Sequence, residues 1–344
     1  MSAPILIWGA GAIGASFGAV LARLGHEVVF VDTVPEHVAA INANGLEIVG
    51  PIVQMVVKAP AFLPEDVTGQ FDRVFLCVKA LHTEAATRAL APHLAPDGYV
   101  VSAQNGLNEL VIEKIVGRER TIGCFVNFGA DYLEPGIVQY SGRGAFVVGE
   151  LDGRKSERIV ALHELVREFE PDAVLTGNIW GYLWGKLIYG SQLFATALTN
   201  DGIADCFANP DFRPVLTALG KEVGAVAKAN GIATEGFNGF DPAAFAPGAP
   251  QNLIDTSLDD MVAFNRRSAK SHSGIWRDLA VRKRKTEVEP QLGPIVETGR
   301  NVGVPTPRTA RLIEMIVEME NGARSFSADN MRELDAAAPV EAGN

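Results

Sequence analysis

At 344 residues the chain is longer than one typical hydrophobic core and suits two domains. A hydrophobic content of 47% with 21% charged residues excludes a disordered or fibrous protein. The formal net charge of −11 disfavours nucleic acid and anionic membrane surfaces as partners and is compatible with chemistry on a small soluble substrate.

Residues 4 to 8, a short apolar run that stops at a glycine cluster, predict a buried parallel strand. A helix follows over Ile13 to Leu24, with Phe17, Val20, Leu21 and Leu24 at helical spacing and Gly25 as its stop. Glu27 to Val31 reads as the second strand. Strands at Arg73 to Val78 and Tyr99 to Ser102, separated by a helix over His82 to His93, continue a β-α-β rhythm. From Gly123 to Glu150 glycine-punctuated strands without a helix between them predict an antiparallel extension of the sheet. Beyond residue 178 helices dominate: Trp180 to Leu198, Arg213 to Asn230, Asp259 to Lys285 and Gln291 to Val302. A last helix starts at Thr306 and Pro307 and carries Leu312, Met315, Ile316 and Met319 as its buried stripe. Residues 236 to 251 hold Phe237, Phe240 and Phe245 among prolines and glycines, and read either as a lid or as a loop packing its own aromatics.

The fold class expected is therefore an α/β Rossmann-type N-terminal domain over residues 1–178, plus a mainly α-helical C-terminal domain over 179–325. Residues 326–344 are expected to be a frayed tail. Cys77, Cys124 and Cys206 fit neither a disulfide framework nor metal-ligand spacing, so no metal is expected and a reducing cytoplasm suits the chain. No apolar run approaches the ~20 residues of a membrane helix, and the N-terminus lacks the basic flank of a signal peptide.

The run Gly9, Ala10, Gly11, Ala12, Ile13, Gly14 lies between the first strand and the first helix, where a dinucleotide fingerprint belongs. Gly9 permits the tight turn, Gly11 lets the backbone approach a pyrophosphate, and Gly14 lets the helix pack on the strand. The helix N-terminus then offers unpaired N–H groups to the phosphates. Asp32 closes the second strand, where a carboxylate accepts hydrogen bonds from ribose hydroxyls and repels a 2′-phosphate, which favours NAD over NADP. Lys79, just after the strand ending in Val78, argues the other way if it reaches a phosphate; a solvated lysine is the ordinary alternative.

Cys77-Val78-Lys79-Ala80, Gln104-Asn105-Gly106-Leu107, Trp184-Gly185-Lys186-Leu187, Ser271-His272-Ser273-Gly274, Lys285-Thr286-Glu287 and Gly303-Val304-Pro305-Thr306-Pro307 occur in this order. Together with the glycine run this set resembles the ketopantoate reductase family from about Ile5 to Val317. The resemblance implies an NAD(P)-dependent enzyme that interconverts a carbonyl and an alcohol, with a helical domain that often supports homodimers. It implies that Lys186 is the catalytic acid, that Glu287 holds it in position, that Asn105 fixes the nicotinamide or substrate, and that Ser273 hydrogen-bonds the substrate. Taken singly, Lys186 reads as a solvated helix lysine and Glu287 as a surface carboxylate beside a basic run.

The chain departs from the family at two positions. Family members usually carry asparagines four and eight residues after the lysine, where this chain has Gly190 and Phe194. A site built to hydrogen-bond a hydroxylated substrate discriminates through such groups, so their loss points to a 2-oxo or 2-hydroxy acid, or related hydroxy compound, bulkier than ketopantoate. Trp180, Trp184 and Tyr189 lie nearby in sequence, and Ser191 and Gln192 are read as partial replacements for the missing amides. The alternatives are an authentic 2-dehydropantoate 2-reductase of pantothenate biosynthesis and a non-catalytic nucleotide-sensing protein.

Overall fold

The computed structural model describes residues 3–267 and 271–337. The chain divides into two compact units, Met1–Ile179 and Trp180–Asn344.

In the first unit β1 (Ile5–Trp8), α1 (Ala12–Arg23), β2 (Val28–Val31), α2 (Pro35–Asn44), β3 (Leu46–Val49), β4 (Met55–Val57) and β5 (Ala61–Phe62) come first. They are followed by β6 (Phe71–Leu76), α3 (Thr83–Leu90), β7 (Leu94–Ser102), α4 (Glu109–Val116), β8 (Thr121–Glu134), β9 (Ile137–Glu150), α5 (Glu157–Phe169) and β10 (Val174–Leu175). The strands form one sheet in the order β4-β3-β9-β8-β7-β6-β1-β2-β5, with β10 also on β9. Pairing is parallel from β8 across to β5, whereas β8 with β9 and β3 with β4 are antiparallel. The parallel α/β core with an antiparallel extension over the Gly123–Glu150 stretch is the architecture expected from the sequence.

Strands buried on both faces need apolar residues at every position, and β1 has them. Ile5 and Ile7 join one core with Phe17, Phe30, Phe75, Phe146 and Phe169. Leu6 and Trp8 join the opposite one with Val74, Leu76, Leu90 and Ile112. Phe17 of α1 anchors the first core, its ring centroid 4.6 Å from Phe75 and 5.4 Å from both Phe146 and Phe169.

The second unit is helical: α6 (Ile179–Thr196, whose first residue closes the first unit), α7 (Ile203–Ala208), α8 (Arg213–Ala229), α9 (Gln251–Arg267), α10 (Gly274–Ala280), α11 (Val288–Asn301), α12 (Pro307–Glu320) and α13 (Asp329–Asp335). Pro307 sits at the start of α12, and Leu312, Met315, Ile316 and Met319 are its buried stripe.

Two expectations are corrected here. The single helix over Asp259 to Lys285 is instead α9 and α10, because Ser273 caps a new helix by accepting the Trp276 N–H at 3.1 Å, and residues 281–287 are loop. The frayed tail begins later than residue 325, since α13 buries Met331 and Leu334. Its start is tied down by Ser327 N–H and Asn330 Nδ2, which donate to the Leu198 carbonyl at 3.0 and 2.9 Å. Arg324 adds ion pairs to Glu318 and Glu333. Residues 338–344 of that tail lie outside the described residues.

The segment over 236–251 packs its own aromatics. Phe237, Phe240 and Phe245 are buried, Phe240 stacks on Phe245 at 5.7 Å, and Tyr189 of α6 meets Phe240 at 5.2 Å. Among the described residues no helix is long and apolar enough to cross a membrane, and no group of three His, Cys, Asp or Glu side chains is placed to hold a metal. Cys77, Cys124 and Cys206 form no disulfide.

Candidate functional site

In the first unit the candidate residues collect at the C-terminal ends of adjacent strands β2, β1, β6 and β7, where parallel sheets bind their ligands. Trp8 is in register with both Val31 and Leu76, and Leu76 with Ser102, so the residues that follow them emerge side by side. Gly9 N–H donates to the Val31 carbonyl at 2.8 Å, Cys77 N–H to that of Trp8 at 2.8 Å, and Ala103 N–H to that of Leu76 at 3.0 Å. This brings the Gly9–Gly14 turn, Asp32, Lys79 and Asn105 to one rim of the sheet.

Glycine is needed at two positions of the turn for separate reasons. Gly9 has φ +103°, and a Cβ there would lie 2.8 Å from the Val78 nitrogen; a Cβ on Gly14 would lie 2.1 Å from the Gly9 oxygen. At Gly11, by contrast, a Cβ would meet nothing within 4 Å. The backbone there borders open space in front of the α1 N-terminus, where no side chain caps the helix. A pyrophosphate fits this cradle: exposed backbone, an open side and the positive end of a helix dipole.

Asp32 is half-buried, and its carboxylate accepts the Val34 N–H at 3.1 Å, closing the turn into α2. Lys79 is half-buried, at the start of a short turn closed by His82 N–H on its carbonyl at 2.8 Å. Asn105 is exposed and precedes Gly106, whose φ is +103°.

Sequence reasoning missed the side chains beneath this rim. His37 of α2 is fully buried, with Nε2 2.8 Å from the Ala10 carbonyl oxygen and Nδ1 2.8 Å from the Gly136 nitrogen. Glu109, the first residue of α4, is 1% exposed, and neither carboxyl oxygen makes a hydrogen bond of good geometry. Burial pushes its carboxyl up to about 8, against the weaker downward pull of its own backbone, Ser102 and Cys124. Nothing in the sequence marked either residue, because a histidine or glutamate near a helix start ordinarily faces water.

In the second unit Lys186, Gly190 and Phe194 follow one another at four-residue spacing and share a face of α6. Lys186 and Gly190 are half-buried and Phe194 is fully buried. A Cβ on Gly190 would meet nothing within 4 Å, so this helix face borders unfilled space. Gly185 serves packing: a Cβ there would lie 2.3 Å from the Glu235 carbonyl oxygen, and the Glu235 N–H donates to the Gly181 carbonyl of α6 at 2.9 Å.

Ser191 and Gln192 are corrected as substitutes for the missing amides. Both are fully buried, Ser191 Oγ donates to the Ile188 carbonyl at 2.8 Å, and Gln192 Nε2 donates to that of Leu216 at 3.1 Å. One and two residues beyond Gly190, they point away from its face.

Glu287 immediately precedes α11 and makes no side-chain capping bond to it. The neighbouring Thr286 fixes this backbone instead: its N–H and hydroxyl both donate to Glu320 at 2.7 Å, and its oxygen accepts the Val288 N–H at 3.2 Å. Ser273 is buried and caps α10 through an oxygen lone pair, which leaves its hydroxyl proton to donate elsewhere.

The comparisons agree with this architecture. The family model described as ketopantoate reductase PanE/ApbA matches residues 5–153, and that of its C-terminal domain matches residues 178–320. The 2-dehydropantoate 2-reductase of Pyrococcus abyssi is 29% identical over 91% of this chain and 96% of its own length. That of Archaeoglobus fulgidus is 29% identical over 92% of this chain and 98% of its own. Among solved structures, a PanE/ApbA family ketopantoate reductase from Ralstonia eutropha JMP134 matches with TM-score 0.79 and 26% identity, covering 93% of this chain and 99% of that one. A D-mandelate dehydrogenase solved with NADH and anilino(oxo)acetate shares the fold at TM-score 0.80 and 24% identity, with the same coverage.

Proposed function

Because the chain belongs to the ketopantoate reductase family, we propose that it is a nicotinamide-dependent oxidoreductase interconverting a carbonyl and an alcohol, with a substrate bulkier than ketopantoate. The substrate class is a 2-oxo or 2-hydroxy acid, or a related hydroxy compound. Residues 1–178 hold the cofactor in this reading, and residues 179–325 supply the acid and the substrate contacts.

The Gly9–Gly14 turn and the first turn of α1 receive the pyrophosphate, and Asp32 accepts the ribose hydroxyls, which selects NAD. The nicotinamide supplies or takes up the hydride. Reducing a carbonyl places negative charge on its oxygen as hydride reaches carbon, so a nearby ammonium lowers the barrier by stabilising that charge and giving it a proton. Lys186 takes this role, Glu287 orients its ammonium, Ser273 donates to the substrate, and Asn105 fixes the reacting groups. Oxidation of the alcohol is the same sequence reversed, with Lys186 receiving the proton.

The observation that carries the substrate reading is the open space at Gly190. An asparagine there would bring an amide toward a small hydroxylated substrate, whereas glycine leaves volume, and Phe194 places an apolar residue one turn further along. A fold that holds NADH and anilino(oxo)acetate in a D-mandelate dehydrogenase is compatible with an aryl substrate.

The second reading, an authentic 2-dehydropantoate 2-reductase, is favoured by the names of the relatives that span nearly the whole chain. Fluorescence titration with NADH and NADPH, followed by turnover of ketopantoate and aryl 2-oxo acids, decides between them. Tight NADH binding with poor ketopantoate turnover supports the divergent dehydrogenase. NADPH preference with efficient ketopantoate reduction returns the chain to the second reading, and cofactor binding without turnover of any 2-oxo acid favours a nucleotide sensor. Light scattering on the same sample tests the expected homodimer.

A further inference from the structure

We propose that Thr83, Gln104 and Asn108 form a buried positioning network that holds Lys79 and Asn105 in fixed register for cofactor binding. The proposal rests on the cofactor reading above and adds residues that the reading does not use.

The network is a directed chain of hydrogen bonds between the loops that follow β6 and β7. Gln104 Nε2 donates one proton to the Val78 carbonyl at 2.9 Å and the other to Thr83 Oγ1 at 2.8 Å. Thr83 passes its single hydroxyl proton to Asn108 Oδ1 at 2.8 Å. Asn108 Nδ2 donates in turn to the Asn105 carbonyl at 2.7 Å. The Thr87 hydroxyl braces the hub from below by donating to the Thr83 carbonyl at 2.6 Å.

The two ends of this chain fall on the candidate residues. The Val78 carbonyl belongs to the peptide that carries the Lys79 nitrogen, and the Asn105 carbonyl to the peptide that leads into Gly106 with its φ of +103°. Each peptide plane is thereby fixed relative to the other, although their residues are 26 apart in sequence. Thr83, Gln104 and Asn108 are 1%, 5% and 4% exposed. An apolar filling would stabilise such a place as well or better, so a polar chain there, which leaves only Gln104 Oε1 of its side-chain atoms without a partner, is explained by the geometry it specifies. Thr83 is the hub because it both accepts and donates. Removing its hydroxyl leaves a Gln104 N–H and the Asn108 oxygen without partners in dry surroundings.

The test compares Thr83→Val, which keeps the shape and removes the hydroxyl, with Thr83→Ser, which keeps the hydroxyl. Hydrogen exchange is read over residues 77–83 and 103–109, alongside NADH titration and the split between kcat and KM. In Thr83→Val, exchange protection is expected to fall in both loops together and NADH affinity to fall roughly tenfold. Thr83→Ser is expected to restore both to near the wild-type values. Unchanged protection in Thr83→Val overturns the network, as does a Thr83→Ser variant as impaired as Thr83→Val. Loosened loops with unchanged NADH affinity overturn the positioning role. A wild-type protein that binds neither NADH nor NADPH sinks the cofactor reading and the positioning role with it, while the exchange data still report whether the loops are coupled. If Thr83→Val does not fold, Gln104→Met removes both Gln104 donors at similar length and is read in the same way.

Discussion

The imidazole of His37 donates from Nε2 to the carbonyl oxygen of Ala10 at 2.8 Å, joining α2 to the middle of the glycine turn. The direction is fixed by the other nitrogen. The Gly136 N–H can only donate, so Nδ1 accepts it and the ring proton sits on Nε2. One buried side chain thus ties the turn to the bend between β8 and β9.

Replacing it by phenylalanine keeps an aromatic ring, slightly larger than imidazole, and leaves the Ala10 oxygen and the Gly136 N–H unsatisfied, a cost of about 1–3 kcal/mol for each. His37→Phe is expected to lower Tm and to weaken NADH binding roughly tenfold, because the turn loses the contact that orients its carbonyl. Fluorescence titration and a melting curve separate the two effects. Affinity within twofold of wild type in a destabilised variant would reduce His37 to a support of the fold.

At Gly190 the expected effect lies on specificity and hardly on stability. An asparagine Cβ enters open space, and leaving glycine in a helix interior gains a few tenths of a kcal/mol at most. Gly190→Asn is expected to raise kcat/KM for ketopantoate and lower it for aryl 2-oxo acids, shifting their ratio by roughly tenfold or more. A ratio unchanged by the substitution would remove Gly190 from the substrate reading.

How far the sequence was legible follows from which interactions are local. The first β-α-β unit could be read because a doubly buried strand, a glycine turn and an amphipathic helix each write their own pattern, and β1, α1 and β2 follow it. The start of α12 was equally plain from Pro307, but Thr306 makes no capping bond, and Glu222 of α8 accepts the Arg308 and Thr309 N–H groups in its place. The break between α9 and α10 was not, because the polar stretch from Asn265 to Gly274 holds no proline to end a helix, and only the Ser273 cap marks the new start. Met331 and Leu334 of α13 find their partners on other helices, and a short polar segment gives no sign of that. In the site, Gly9, Gly14 and Gly190 showed their purpose through what they lack. His37, Thr83 and Asn108 each have at least one partner 21 to 99 residues away, which no local spacing encodes.

Glu109 sets a pH dependence of stability whose sign follows from its burial. The fold raises its carboxyl from 4.5 to about 8, so the native protein keeps a proton that the unfolded chain has lost between those values. Its contribution is present in full below pH about 4.5 and is lost progressively until pH passes about 8, at roughly 1.4 kcal/mol per pH unit. Glu109→Gln carries no titrating proton. The variant is therefore expected to match the wild type near pH 5 and to exceed it in stability near pH 8, a difference checked by denaturant titration at both values. A gap that stays constant with pH would mean that Glu109 is already ionised in the fold.

Asp32 tests the cofactor preference with little disturbance to the fold. Asparagine retains the Oδ1 acceptor that takes the Val34 N–H at 3.1 Å, so the turn into α2 persists while the charge is removed. The carboxylate repels a 2′-phosphate and holds ribose hydroxyls more firmly than a neutral amide does. Asp32→Asn is expected to weaken NADH binding and to strengthen NADPH binding, narrowing the ratio of their affinities by about tenfold, equivalent to about 1.4 kcal/mol. Parallel fluorescence titrations with the two cofactors check the shift. An unchanged ratio would show that the Asp32 charge does not read the 2′-position, and would move the choice between NAD and NADP to Lys79.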